Sequence, residues 1–140
     1  MRQTSVLSHA EAVRILTVIQ AELDKEGRGA AVAVTDPHGE LIAFLRTDGC
    51  PLASINNAIN KAFTAARERQ PSNALAARAK EEGWSLAYFA DPRYIGWGGG
   101  YPVIVEGDVI GAVGVSGLPE HEDIVLAQLG ANVIAQSDKP

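Results

Sequence analysis

GWGGGYPVIVEGDVIGAVGVSG, running from Gly96 to Gly117, is the stretch from which the fold is read. Four glycines fall within its first five residues. An apolar run, Tyr101 to Val105, follows them and leads through a Glu106-Gly107-Asp108 turn into a second, Val109 to Val115. Two apolar strands around a glycine turn predict a β-hairpin. Glycines this dense mark special backbone angles, or a backbone that must come close to another element. Ser116-Gly117 closes the hairpin, and site chemistry is expected at the hairpin's two ends.

Upstream, Ser8-His9-Ala10-Glu11 has the form of a capping box. The helix behind it carries Ala12, Leu16, Ile19 and Leu23 on one stripe and stops at Gly27. Ala30 to Thr35 reads as a buried strand, Asp36-Pro37-His38-Gly39 as a turn and Glu40 to Arg46 as the returning strand. Pro51 suits the first position of a helix with Leu52, Ile55, Ile59, Ala62, Phe63 and Ala66 on its apolar stripe. Gln70-Pro71 breaks that helix, Ser72 caps a short one from Asn73 to Glu82, and Gly83 stops it. Trp84 to Ala90 reads as a short strand or a packed loop. Downstream of the hairpin, Pro119 opens a final helix packed by Val125, Leu126, Leu129, Val133 and Ile134. Its first turn carries Glu120, Glu122 and Asp123, which complement the helix dipole and repel phosphate.

A chain of 140 residues suits one domain, here residues 1–140, with one core. Its net charge of −5 argues against a nucleic-acid or anionic-membrane partner. One cysteine excludes an internal disulfide and an all-Cys metal site. No apolar run approaches the roughly 20 residues of a membrane span, and the N-terminal residues lack a signal-peptide block. A cytoplasmic protein is the expectation. Gly96–Gly100 lacks the Gly-Lys-Ser/Thr of a phosphate loop. Gly114-Val115-Ser116-Gly117-Leu118 lacks the last glycine of a nucleophile elbow. His9, His38 and His121 have no metal-ligand spacing, so no metal site is expected.

Several side chains have both a functional and a plain reading. Lys61, inside a helix among alanines, either snorkels or holds an anionic group. Arg46 and Asp48 form a loop-fixing ion pair, or Arg46 clamps a carboxylate. Cys50-Pro51 resembles a haem-ligating dipeptide, against the plainer reading of a packed thiol. His38 is a solvated turn-tip residue, or a ligand or proton carrier. His121, beside Glu120 and Asp123, is either part of an acidic helix start or an acid–base group. Tyr94, Trp97 and Tyr101 surround the glycines as core, as interface, or as walls for a flat ligand.

Taken together, these residues resemble the GlcG/HbpS family, the haem-degrading or PduO-C-terminal-like domain. The resemblance is carried by Val34-Thr35-Asp36 with Gly39 and Leu41, Arg46-x-Asp48-Gly49, Ser54, Lys61-Ala62-Phe63-Thr64-Ala65 and Pro71-Ser72. It continues through Gly98 to Val103, Gly107, Gly111 to Gly117 and Glu122-Asp123, and spans about residues 8 to 134. Thr47, Cys50 and the Leu118-Pro119-Glu120-His121 run depart from the family pattern. The resemblance implies a profilin-like α+β fold, a central mainly antiparallel sheet flanked by helices, and a homo-oligomer. It also implies haem or another tetrapyrrole as ligand in some members, and catabolic settings without settled activity in others.

The expected function is therefore small-molecule binding in a cleft between the Gly96–Gly100 loop, the Arg46–Cys50 loop and the Lys61 helix. Arg46, Asp48, Lys61, Trp97, Gly98, Gly99, Gly100, Tyr101 and Ser116 are its candidate ligand contacts, with His38 or His121 as axial ligand or proton shuttle. Two alternatives stand beside it. One is a cofactor-free catabolic enzyme acting on a small organic acid through His121 with Glu120 or Asp123, with His38 as a further catalytic candidate. The other is a structural subunit of an oligomer.

Overall fold

The computed structural model describes residues 1–137. Four antiparallel strands form one sheet: β1 (Ala31–Thr35), β2 (Leu41–Arg46), β3 (Gly100–Val105) and β4 (Asp108–Ser116), in the order β2-β1-β4-β3. The helices are α1 (His9–Lys25), α2 (Ser54–Glu68), α3 (Ser72–Glu82) and α4 (Glu120–Ser137). The expected α+β architecture is present, and helices cover both faces of the sheet.

The period-2 alternation of the central strands assigns each face to its helices. Val32, Val34, Val113 and Val115 point to one side and join Ile15, Ile19 and Leu23 of α1 and Ala127, Ala131 and Ile134 of α4 in the main core. Ala31 and Ala33 point to the other side and meet Ala58 and Ala62 of α2. That second interface is built of small residues, so α2 lies close to the sheet. Gly100 and Gly114 face each other across β3 and β4. A Cβ on either would run into the α2 backbone, at Lys61 and Ala58 respectively. The dense glycines thus mark close approach of another element.

The hairpin turn is tight. Glu106 (φ 51°) and Gly107 (φ 84°) both lie in the left-handed region between paired Val105 and Asp108, as a two-residue type I′ connection requires. The capping box of α1 is formed, with Ser8 and Glu11 each accepting the other's backbone N–H.

Three local expectations are corrected. Helix α2 starts at Ser54, because Pro51-Leu52-Ala53 form a turn ahead of it; Leu52 is exposed and packs in no helix stripe. Residues 86–89 form a 3-10 helix, not a strand. Ser72 does not cap α3. Its hydroxyl instead donates to Trp97 O (2.7 Å) and accepts the Gly100 N–H (2.9 Å), fixing the glycine loop. Among the described residues no helix is long and apolar enough to cross a membrane.

Candidate functional site

At the open end of the α2 face, three segments meet around a pocket of about 260 Å³. The start of α2 supplies Pro51, Ser54, Asn57 and Lys61; the glycine loop supplies Trp97; the β4–α4 junction supplies Ser116 to Leu118, Glu120 and Asp123. Local geometry explains the convergence. Ser54, Asn57 and Lys61 stand at i, i+3 and i+7, one face of a helix. Ser116 continues the parity of Ala112 and Gly114, so its side chain turns toward α2.

Lys61 closes the floor. It is 3% exposed, and its ammonium donates to Asp123 Oδ2 (3.1 Å) and Val115 O (3.0 Å). Asp123 Oδ1 accepts the N–H of Leu118 (3.1 Å). Burial pushes the Asp123 carboxyl above its usual range, against the opposing pull of Lys61 and the N–H groups of Leu118 and Gly117. This ion pair joins α2 to the first turn of α4 and sets the shape of the loop between them. Lys61 also explains Gly99 (φ 123°), where a Cβ would sit 3.0 Å from the lysine Nζ and 2.5 Å from Val115 O.

The wall opposite is equally fixed. The Gly99 carbonyl accepts the Val115 N–H (2.9 Å), and Gly98 N–H donates to Glu120 Oε2 (2.7 Å). Ser54 and Ser116 are buried, at 6% and 5% exposed. Neither hydroxyl, nor the Asn57 amide, has a hydrogen-bond partner among the described residues. These groups present unspent donors and acceptors to whatever enters.

Of the candidates read from the sequence, Lys61, Trp97, Ser116 and Glu120 line this pocket. Gly98, Gly99 and Gly100 are buried behind it as backbone wall. The others lie elsewhere. Arg46 and Asp48 are exposed, outside the lining, and no ion pair joins them among the described residues. His38 is exposed at the 36–39 turn, where its carbonyl accepts from Arg67 Nε (2.8 Å). His121 is exposed on α4, also outside the lining. Tyr101 packs into the α1/α4 core across the sheet. Tyr94 stacks on Phe89 (4.1 Å, 11°) and meets Phe63 edge-on (5.2 Å). The three aromatics therefore do not gather, because the strand alternation and the Phe63 contact draw Tyr101 and Tyr94 away from Trp97.

Lys61 spends two donors inside the protein and is not a free clamp for an anion. Cys50 is half-buried, its Sγ 3.2 Å from Pro51 O, and burial pushes its thiol pKa up, with Arg46 opposing. Such a thiol is a poor nucleophile or metal ligand. Asn57 is a lining residue absent from the candidates, and Asp123 figures among them only as an acid–base partner of His121. The polar i, i+3, i+7 stripe was the available signal for Asn57. For Asp123 the sequence offers a helix-dipole role or an acid–base role beside His121, and neither anticipates its ion pair with Lys61.

The haem that the resemblance implies does not fit this pocket. Its lining holds no His, Cys, Met or Tyr for an axial bond to iron. Its volume of about 260 Å³ also falls below the roughly 300–1,000 Å³ of clefts that engulf drug-sized ligands. Among the described residues no group of three His, Cys, Asp or Glu is placed to hold a metal ion.

Comparison with known proteins agrees with this architecture. Residues 7–132 match the family model described as haem degrading protein HbpS-like. Protein GlcG of Escherichia coli (strain K12) is 33% identical over 116 residues, covering 83% of this chain and 85% of GlcG. The crystal structure of a Streptomyces reticuli HbpS double mutant superposes with a TM-score of 0.86 at 30% identity, covering 96% of this chain and 90% of that one. Klebsiella pneumoniae protein ORFY gives a TM-score of 0.87 at 27% identity over 100% of this chain and 97% of its own.

Proposed function

The chain belongs to the HbpS-like family, and from that premise we propose that it binds a small polar organic molecule in the pocket between α2, the glycine loop and the β4–α4 junction. One observation carries the reading: the hydroxyls of Ser54 and Ser116, two residues otherwise buried, have no described protein partner and open onto this pocket. An unpaired hydroxyl opening onto a pocket is available to a ligand, and such a hydrogen bond typically contributes about 0.5–1.5 kcal/mol net. The Lys61–Asp123 pair holds the floor in place beforehand, so little ordering is needed on binding.

The test is a titration of the labelled protein with a panel of small metabolites, followed by amide NMR shifts. At least one compound is expected to saturate the resonances of 54–57 and 116–118. Asn57→Leu, at a half-exposed helix position, is expected to abolish that response while leaving the fold intact. No saturating compound, or hits indifferent to the leucine, would overturn the reading.

Haem is the second reading, favoured by the family's description. With no axial donor in the lining, a haem would use an exposed histidine, His38 or His121. Titration with haemin tests it through a saturable Soret shift that Asn57→Leu leaves intact and that His38→Ala or His121→Ala removes, with Cys50→Ala as the further control. A shift unchanged in all three would eliminate these ligands. Homo-oligomerisation is a further part of the proposal: Leu52 and Trp97 stand 76% and 61% exposed beside the pocket, apolar surface suited to a subunit contact. Sedimentation of the parent and Trp97→Ala decides it; an unchanged particle size would free the tryptophan from that role.

A further inference from the structure

The charges around the pocket are unevenly spent, and that selects a ligand class. Lys61 and Asp123 neutralise each other on the floor. Arg28, the next cation toward α4, donates to both carboxylate oxygens of Glu122 (3.2 and 3.1 Å) and does not line the pocket. The positive end of α4 thus faces three carboxylates, of which two are ion-paired. The third, Glu120, belongs to the lining and has no ion-pair partner among the described residues. Its Oε2 is anchored by Gly98 N–H, and its Oε1 accepts from no described group. The lining therefore carries one uncompensated negative charge and no uncompensated positive one.

Glu120 shares the lining with Trp97. A carboxylate beside an aromatic ring holds an ammonium group through a charge-assisted hydrogen bond and attraction to the ring face. Ser54, Asn57 and Ser116 are neutral and suit hydroxyl groups. A carboxylate or phosphate ligand would meet Glu120 and find no free cation. About 260 Å³ is the space of roughly nine liquid waters at about 30 Å³ each. Building on the pocket reading above, we infer that the site takes a small amino alcohol, with its ammonium at Glu120 and Trp97 and its hydroxyls at the two serines and Asn57, and that it discriminates against organic acids.

Three probes of nearly equal size separate charge from shape: serinol (2-amino-1,3-propanediol), glycerol and glycerate. Each is titrated into the full chain and into Glu120→Gln, whose amide oxygen still accepts from Gly98 N–H. Serinol is expected to bind at least about tenfold more tightly than glycerate, the gap between attraction and repulsion at Glu120. In Glu120→Gln that gap is expected to close to about twofold, with glycerol binding unchanged. Glycerate binding as tightly as serinol, serinol binding indifferent to Glu120→Gln, or none of the three binding would each overturn the inference. The metabolite panel keeps the two proposals apart. An anionic hit lost in Asn57→Leu would reject the amino-alcohol class and leave the pocket standing, whereas a panel without hits would reject both.

Discussion

Lys61 and Asp123 are each about 96–97% buried at their side chains, with the ammonium and carboxylate 3.1 Å apart. Removing one partner of such a pair strands the other charge and typically costs about 3–5 kcal/mol. Asp123→Asn and Lys61→Met are each expected to fall in that range by urea unfolding. The double variant Lys61→Met/Asp123→Leu is expected to lose much less than the sum of the single losses, since no charge is left buried. Single losses below about 1 kcal/mol would mean that the pair is solvated and does not hold the floor. Glu122 behaves differently. Hydrogen bonding to Arg28 holds its pKa below the ordinary 4.5. A carboxyl lowered by folding adds stability above its unfolded pKa, and that stability is lost as pH falls through the folded value. Glu122→Gln is therefore expected to lower the urea midpoint at pH 7 and to converge on the parent as pH falls below about 4.5. Asp123, raised by burial, contributes with the opposite sign in acid. The comparison is thus made between variant and parent at each pH, and parallel curves would show that Arg28 does not select the ionised Glu122.

At the scale of elements, the fold turns on how closely α2 approaches β3 and β4. A Cβ on Gly114 would sit 2.7 Å from Ala62 N, with the Ala58 carbonyl closer still. The conflict is with helix backbone, which cannot rotate aside. Gly114→Ala is expected to cost about 3 kcal/mol or more, the upper end of overpacking penalties, and to weaken ligand binding by shifting Lys61. Gly107→Ala is the control. Its Cβ would meet nothing within 4 Å, so its cost is the left-handed backbone strain of about 1 kcal/mol. Equal losses in thermal melts of the two variants would place the glycine requirement in backbone angle and not in contact. The sequence already pointed to close approach through the glycine density of residues 96–100 and 111–117. It did not identify α2 as the approaching element, because small-residue complementarity between Gly100, Gly114, Ala58 and Ala62 appears only once β3 and β4 are in register. The start of α2 was misjudged for a related reason. Pro51 is as well suited to the turn ahead of a helix as to its first residue, and only Leu52's exposure separates the two.

Over the whole molecule, legibility follows sequence distance. Hairpins and helices were readable because turn residues, caps and apolar stripes lie within a few positions of one another, as in Glu106-Gly107 and Ser8-Glu11. The pocket was partly readable: Lys61, Trp97, Ser116 and Glu120 stood out as residues, yet their meeting depends on three segments, and the bond from Lys61 to Asp123 spans 62 positions. Histidines drew attention for their chemistry alone, and the fold leaves His38 and His121 on the surface. The strand order makes its own prediction. β1 is buried along its whole length and paired on both sides, by β2 and β4. β2 is an edge strand, exposed or half-buried throughout. Local opening should therefore begin at β2 and at the 3-10 helix Leu86–Phe89, which contains no buried residue, while β1 and β4 open only with global unfolding. Hydrogen exchange is expected to leave the amides of Val32 to Val34 and Val113 to Val115 as the slowest of the chain. Amides of 41–46 that face away from β1 should exchange well before them. If β1 exchanged ahead of β2, it would not be the central strand. If all four strands exchanged together, the sheet would open as one unit, and the Lys61–Asp123 floor that rests against β4 would open with it.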